Sequence, residues 1–288
     1  MVNKIADLLA KGQTFSFEFF PPKSDAAAST LQATLAELEP LNPSFVSFTY
    51  GAGGATRGTT RDLVVGVNAE TSMVPMAHLT VYGHTRDELA EMVGDYAAAG
   101  VANIMALRGD RPKDFDRGPG DLRHAIELVE LIREIGDFSI GVAAHPEGHP
   151  ENPDRASDRA YLAEKLAVAD FAVTQMFFRV DDYVSMVDDL RAAGVDKPVI
   201  PGIMPVESLS SIQRMAELSG AAFPPELAQR FYDVGDDPDA VRAEGVAVAV
   251  EFCRELLAYG VPGLHFFTLN KSRSTREIYE NLGLTNAT

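Results

Sequence analysis

Apolar residues occur along this chain in short β-prone runs, separated by longer stretches of helical period. The runs fall at Phe15–Phe20, Phe45–Tyr50, Val74–Thr80, Asn103–Leu107, Ile140–Ala144, Phe171–Phe178, Val199–Ile203 and Leu264–Leu269. Between them apolar positions recur every three or four residues, as in 87–100 and in 121–135, where Leu122, Ala125, Ile126, Val129 and Ile132 share a face. Gly100 and Gly194 stand where two of these helices should stop, each followed by Val and a short lead into a strand. Residues 3–11 predict a short amphipathic helix with Asn3 as cap. Eight strands alternating with helices predict an α/β chain folded as a closed (βα)8 TIM barrel, with an open sheet of eight parallel strands as the alternative. One interval departs from strict alternation. Three helical stretches, 207–219, 225–232 and 239–259, lie between strands seven and eight, where they are expected to cover the site or build an oligomer contact. No linker or shift in composition marks a boundary, so residues 1–288 read as a single domain.

Charge narrows the range of partners. With 42 acidic against 25 basic residues the net charge is -17, which argues against nucleic acid and against an anionic membrane, since no basic stripe is available to displace counterions. The single cysteine, Cys253, excludes an intrachain disulfide and a thiolate metal cluster. No signal peptide or spanning segment is legible, and a reducing cytoplasm is the expected compartment.

In a parallel barrel, chemistry gathers at the C-terminal ends of the strands. The first strand carries Glu18 among phenylalanines, with no cation beside it in sequence, so burial is expected to raise its pKa toward values useful for proton transfer. The other ends read Thr49-Tyr50, His78–Thr80, Arg108–Asp110, His145–Glu147, Gln175, Met204-Pro205 and Asn270-Lys271. Gln175, inside an apolar run, needs buried partners. The loop at 51–57 is glycine-rich but matches neither a Walker A lysine pattern nor a Rossmann fingerprint. His145, Glu147 and His149 invite a metal reading, but Pro146 and Gly148 disfavour the helix that would align the two imidazoles, and no metal is expected. Strands six and seven hold no lysine, which disfavours Schiff-base chemistry; Lys271, just past strand eight, reads as an anion contact.

Seven ordered motifs carry a family resemblance. Residues 17–22 (FEFFPP), 49–54 (TYGAGG), 78–80 (HLT), 106–110 (ALRGD), 174–178 (TQMFF), 201–205 (PGIMP) and 265–270 (HFFTLN) resemble the 5,10-methylenetetrahydrofolate reductases, in order and over nearly the whole chain. The resemblance implies a barrel that binds FAD noncovalently. It implies reduction of methylenetetrahydrofolate to 5-methyltetrahydrofolate with NADH or NADPH by ping-pong hydride transfer, in one-carbon metabolism and methionine synthesis. Glu18 corresponds to the family's general acid, and Asp110 to the aspartate beside flavin and pterin. For FAD it points to Thr49, Tyr50, Ala52, His78, Leu107, Arg108, Gly109, Asp110, Ala125, His145, His149, Asp158 and Lys165, with Arg108 and Lys165 supplying charge for a pyrophosphate. For the folate it points to Glu18, Thr49, Asp110, Gln175 and Lys271. Relatives of this length imply a homo-oligomer, with a tetramer among the options. Glu164 stands where some relatives carry arginine, which keeps open a reductase passing hydride directly from NADH without flavin; a non-catalytic folate-binding barrel is the alternative from another class.

Overall fold

The structure, a computed structural model, describes residues 3–51, 56–110 and 118–284. Its strands are β1 (Thr14–Phe19), β2 (Phe45–Phe48), β3 (Pro75–Thr80), β4 (Asn103–Leu107) and β5 (Ser139–Ala144), then β6 (Phe171–Thr174), β7 (Val199–Ile200), β8 (Gly202–Ile203) and β9 (Gly263–Phe267). All pairings are parallel, in the order β7-β6-β5-β4-β3-β2-β1-β9-β8. β7 and β8 are two halves of the seventh strand, so the sheet's two ends meet there and the barrel closes.

The sequence predicts one continuous run at 199–203, and Pro201 breaks it. Proline has no N–H to give to the ladder. The first half pairs with β6 through Ala172 and Val173, and the second with β9 through His265 and Phe266. Two bonds span the gap: His265 N donates to the Pro201 carbonyl at 3.0 Å, and Gly202 N donates to Thr174 Oγ1 at 2.8 Å. Gly202 has no alternative here, because a Cβ would stand 2.6 Å from the Phe267 ring.

The helices are α1 (Ile5–Lys11), α2 (Asp25–Leu38), α3 (Arg57–Glu70), α4 (Arg86–Ala98), α5 (Ala125–Ile135) and α6 (Arg155–Val168). They continue with α7 (Val180–Ala192), α8 (Leu209–Ser219), α9 (Pro225–Val234), α10 (Pro238–Tyr259) and α11 (Arg273–Leu282). Helices α8, α9 and α10 are the three expected between the last two strands. α5 begins four residues later than its apolar period suggests, because Asp121 is spent on α4: its carboxylate accepts from Arg86 N at 2.9 Å. α4 itself starts with a capping box between Thr85 and Glu88.

α1 plugs the N-terminal end of the barrel. Asn3 is not its cap. The cap position is Lys4, whose side chain accepts no bond, and the first-turn donors are satisfied from across the fold. Ile5 N donates to Asn103 Oδ1 at 2.8 Å and Ala6 N to Ser139 Oγ at 3.0 Å, so β4 and β5 cap the helix that seals them.

Strand alternation sorts side chains into two cores. Phe45, Met76, Met105, Phe171, Val173 and Ile200 fill the barrel interior against Ile5. Gly141 makes room for them, since a Cβ would meet the Phe171 ring at 2.7 Å. Phe17, Phe19, Val46, Phe48, Leu79, Ile104 and Phe266 point outward into the layer under the helices. A third cluster, of Met176, Val206, Ile212, Phe231 and Phe267, ties α8 and α9 to the barrel mouth. Among the described residues no helix is long and apolar enough to cross a membrane.

Candidate active site

The same alternation that sends Phe17 and Phe19 outward turns Ser16 and Glu18 into the barrel. Above the apolar plug the inward side chains become polar: Ser16 and Glu18 from β1, Ser47 from β2, His78 and Thr80 from β3, and His265 from β9. All six are buried, Glu18 to 8% and His265 to 0% exposure.

Glu18 Oε2 is the centre of this group. The Ser47 hydroxyl donates to it at 3.4 Å, and two imidazole Nε2 atoms, of His265 and His78, each stand 3.5 Å away. His78 reaches ion-pair distance without hydrogen-bond alignment, and its Nε2 is buried with no partner among the described residues. His265 continues the chain inward: its Nδ1 is 2.7 Å from Ser16 Oγ, and its ring stacks on Phe45 at 5.7 Å. The Glu18 main chain is fixed as well. Thr268 donates to its carbonyl from Oγ1 at 2.6 Å and from N at 3.3 Å.

These neighbours overturn the expected direction of the Glu18 pKa. Burial does push the carboxyl up, but the hydrogen bond with His265, the fields of His78 and His265, and the Ser47 hydroxyl together outweigh it. The net shift is downward. The phenylalanines that suggested an apolar wall belong to the outer core: Phe17 packs on Tyr279 with ring centroids 5.1 Å apart, and Phe19 stacks on Phe48 at 5.8 Å. His78 is held below the usual histidine range by its own burial, against the pull of Glu18.

A second group gathers where β4 and β5 end and α6 begins. The rings of His145 and His149 meet edge to face at 4.7 Å. Burial, then the positive neighbours His149, Lys165, Arg108 and Arg159, push His145 down to about 3. Lys165 is partly buried, donates to the Ala143 carbonyl at 2.5 Å, and is pushed down by desolvation to about 8. Asp158 accepts from His149 N at 3.2 Å and from Arg159 at 3.1 Å. Arg159 also donates to the carbonyls of His145 and Pro146, stapling the loop over the helix N-terminus. Arg108 donates to Glu151 at 2.5 Å.

The remaining positions surround the mouth. Tyr50 is buried beside His84, its hydroxyl 3.1 Å from Nε2, and burial pushes it up to about 12. Thr49 accepts from Thr60 Oγ1 at 3.1 Å, and Ala125 opens α5. Leu107 ends β4 opposite Thr80. Gly109 has φ 81° and a Cβ there would lie 2.8 Å from Thr80 Cβ; Asp110, next along, is exposed. Ala52 lies outside the described residues. Gln175 sits just past the end of β6, not within the strand; its N donates to the Ala144 carbonyl and its Oε1 accepts from Met176 N at 2.9 Å. Lys271 pairs with Glu207.

The structure thus brings Glu18 and His78 together directly, and gathers His145, His149, Asp158, Arg108 and Lys165 into one group of mixed charge. It leaves Asp110, Gln175 and Lys271 as separate points on the rim. Ser16, Ser47 and His265 were missed as site residues. Their signal was available in the period-two alternation, which puts each on the same face as Glu18 or its counterpart on a neighbouring strand. A cavity of about 390 Å³ lies elsewhere, between α9, α10 and residues Phe177, Ile203 and Met204, and contains none of these groups.

A family model described as methylenetetrahydrofolate reductase matches residues 2–283. The chain is 36% identical over 270 residues to the 5,10-methylenetetrahydrofolate reductase of Pectobacterium carotovorum subsp. carotovorum, across 93% of this chain and 90% of that one. It is 38% identical over 279 residues to methylenetetrahydrofolate reductase 1 of Schizosaccharomyces pombe, across 94% of this chain and 46% of that longer protein. Among solved structures, an uncharacterized protein from Clostridium thermocellum that binds two copies of 5-methyl-5,6,7,8-tetrahydrofolic acid superposes with a TM-score of 0.64 at 15% identity, over 97% of this chain and 96% of that one. At that identity the likeness concerns the fold. The family match and the near full-length identity establish that this chain belongs to the methylenetetrahydrofolate reductase family.

Proposed function

We propose that the chain reduces 5,10-methylenetetrahydrofolate to 5-methyltetrahydrofolate, with FAD held noncovalently at the barrel mouth and NADH or NADPH as the hydride source. The observation that carries this reading is the buried pair of Glu18 and His265, an acid and an imidazole 3.5 Å apart where the strands converge. Opening the five-membered ring of the substrate requires a proton at N10, and this pair can store one.

The residues present suit FAD. His78 Nε2 and Thr80 Oγ1 are buried polar atoms without a partner among the described residues. Gly109 presents backbone, with no side chain, beside Thr80. Lys165 is a partly buried ammonium whose opposing charge among the described residues is Asp158, a setting that an anionic phosphate would relieve. On this reading Lys165, Arg108, His145, His149 and Asp158 hold the pyrophosphate and adenosine side. Thr49, Tyr50, Ala52, His78, Leu107, Gly109, Asp110 and Ala125 hold the flavin side. FAD bound there would carry hydride from NAD(P)H to the folate in two successive half-reactions, giving ping-pong turnover.

On this reading the proton side runs through β1 and β9. When the Ser16 hydroxyl points to the Leu264 carbonyl, 3.4 Å away, His265 Nδ1–H donates to Ser16. The Nε2 lone pair then faces Glu18, and one proton serves both atoms. Glu18 delivers that proton to N10, the methylene–N10 bond breaks, and the N5 iminium left behind accepts hydride. His265 and Ser47 hold Glu18 in place and oppose drift of its carboxyl. Gln175 and Asp110 are positioned on the rim to meet the polar edge of a pterin.

An absorbance spectrum of the purified protein, followed by anaerobic NADH, tests the reading. A yellow protein that bleaches with NADH and recovers colour with methylenetetrahydrofolate is the expected result. A colourless protein whose activity ignores added FAD would overturn the flavin assignment in favour of direct transfer from NADH.

A further inference from the structure

Where β8 and β9 leave the barrel, an ion pair links the two loops: Lys271 Nζ donates to Glu207. The two partners are held unequally. Glu207 is mostly buried and fastened a second time, its Oε1 accepting from Ser274 Oγ at 2.9 Å, whereas the Lys271 side chain is 60% exposed. The lysine is delivered by a constrained turn. Leu269 and Asn270 adopt φ of 52° and 57°, a region that side chains other than glycine rarely enter. Lys271 N donates to the Thr268 carbonyl at 2.9 Å, and the Asn270 amide is bonded to Phe20 N and O at 2.8 and 2.9 Å. The same Thr268 clamps the Glu18 carbonyl, so Lys271 sits one tight turn from the acid.

We propose that Glu207 is an internal competitor for Lys271, occupying the cation that the carboxylate tail of a folate would engage and thereby setting how much the tail contributes to binding. This rests on the folate reading above. The protein carries a net charge of -17, so an anionic substrate approaches against repulsion and relies on the few cations at the mouth. Arg108 at the opposite rim is likewise committed, to Glu151. An exposed lysine in a surface pair exchanges partners at little cost. Glu207, fixed by Ser274, stays behind as a nearby negative charge that the incoming carboxylate must tolerate.

The test uses the holoenzyme and calorimetric binding of two probes, 5-methyltetrahydrofolate and the amide of 5-methyltetrahydropteroate, which lacks the glutamate and bears no carboxylate. Glu207→Gln keeps the acceptor for Ser274 and removes the charge. The expected result is folate binding tighter by roughly three- to tenfold, more so at low salt, with binding of the amide unchanged. In Glu207→Gln/Lys271→Met the gain should vanish, and Lys271→Met alone should weaken folate binding by a similar factor. An equal gain on both probes, a gain that survives in the double variant, or no gain at all overturns the proposal. Wild-type protein that binds neither probe overturns the folate reading itself.

Discussion

His265 Nε2 stands 3.5 Å from Glu18 Oε2, on strands that pair directly although the two residues lie at opposite ends of the chain. Burial is the largest single influence on the acid, and this contact is the first of several that together outweigh it. Burial alone would push the carboxyl up; the hydrogen bond with His265, the fields of His78 and His265 and the Ser47 hydroxyl bring it net downward.

Glu18→Gln separates the two half-reactions. The amide keeps the shape and the contact with Ser47 but has no proton to give to N10. With FAD-loaded protein, flavin bleaching by NADH should persist while methyltetrahydrofolate formation falls by roughly 10²–10⁴-fold. Stopped-flow measurement of each half checks this, and equal losses in both would mean Glu18 acts elsewhere.

His265→Phe should move the pH profile. The ring volume is retained and the stacking on Phe45 survives, but the strongest influence lowering the Glu18 pKa is gone. Burial then dominates, and the limb of the folate half-reaction that reports Glu18 should shift to higher pH. Ser16 loses its ring partner but keeps its contact with the Leu264 carbonyl, so the cost in stability should be about 0.5–1.5 kcal/mol. A profile that keeps its position would show that His265 does not set the state of the acid.

Acid should destabilise the protein through His145. Its folded pKa is depressed to about 3, whereas the unfolded chain takes a proton near 6.5. Between those values the unfolded state binds more protons, so the stability present above 6.5 drains away as pH falls toward 3. The slope for one such group approaches about 1.4 kcal/mol per pH unit. Urea midpoints measured from pH 7 to pH 4 should fall more steeply for wild type than for His145→Asn.

Two helical glycines should respond with opposite signs. A Cβ at Gly94 in α4 meets nothing within 4 Å, so Gly94→Ala should gain about 0.5–1 kcal/mol from helix propensity. At Gly245 in α10 a Cβ would lie 1.8 Å from the Val206 carbonyl, so Gly245→Ala should lose about 1–3 kcal/mol and force α10 off the barrel. Thermal melts of the two variants should move in opposite directions by a few degrees.

Much of this was legible in the sequence, because the barrel rests on period and punctuation. Eight apolar runs and their helices predict the strands and helices that form, including the three between the last two strands. What escaped was whatever depends on a neighbouring strand. Pro201 reads as an ordinary residue in an apolar run until the ladder it interrupts is known. The cap of α1 comes from Asn103 and Ser139, about a hundred residues away, so Asn3 was the natural but wrong choice. The environment of Glu18 was misjudged for the same reason: its sequence neighbours are phenylalanines, while its spatial neighbours are Ser47, His78 and His265.

β1 and β9, the first and last of the described strands, pair directly, and the acid lies on one side of that joint while its imidazole lies on the other. No fragment emerging from the ribosome before β9 is made can bring the two together. On the proposed reading, turnover therefore reports that these two strands have found each other.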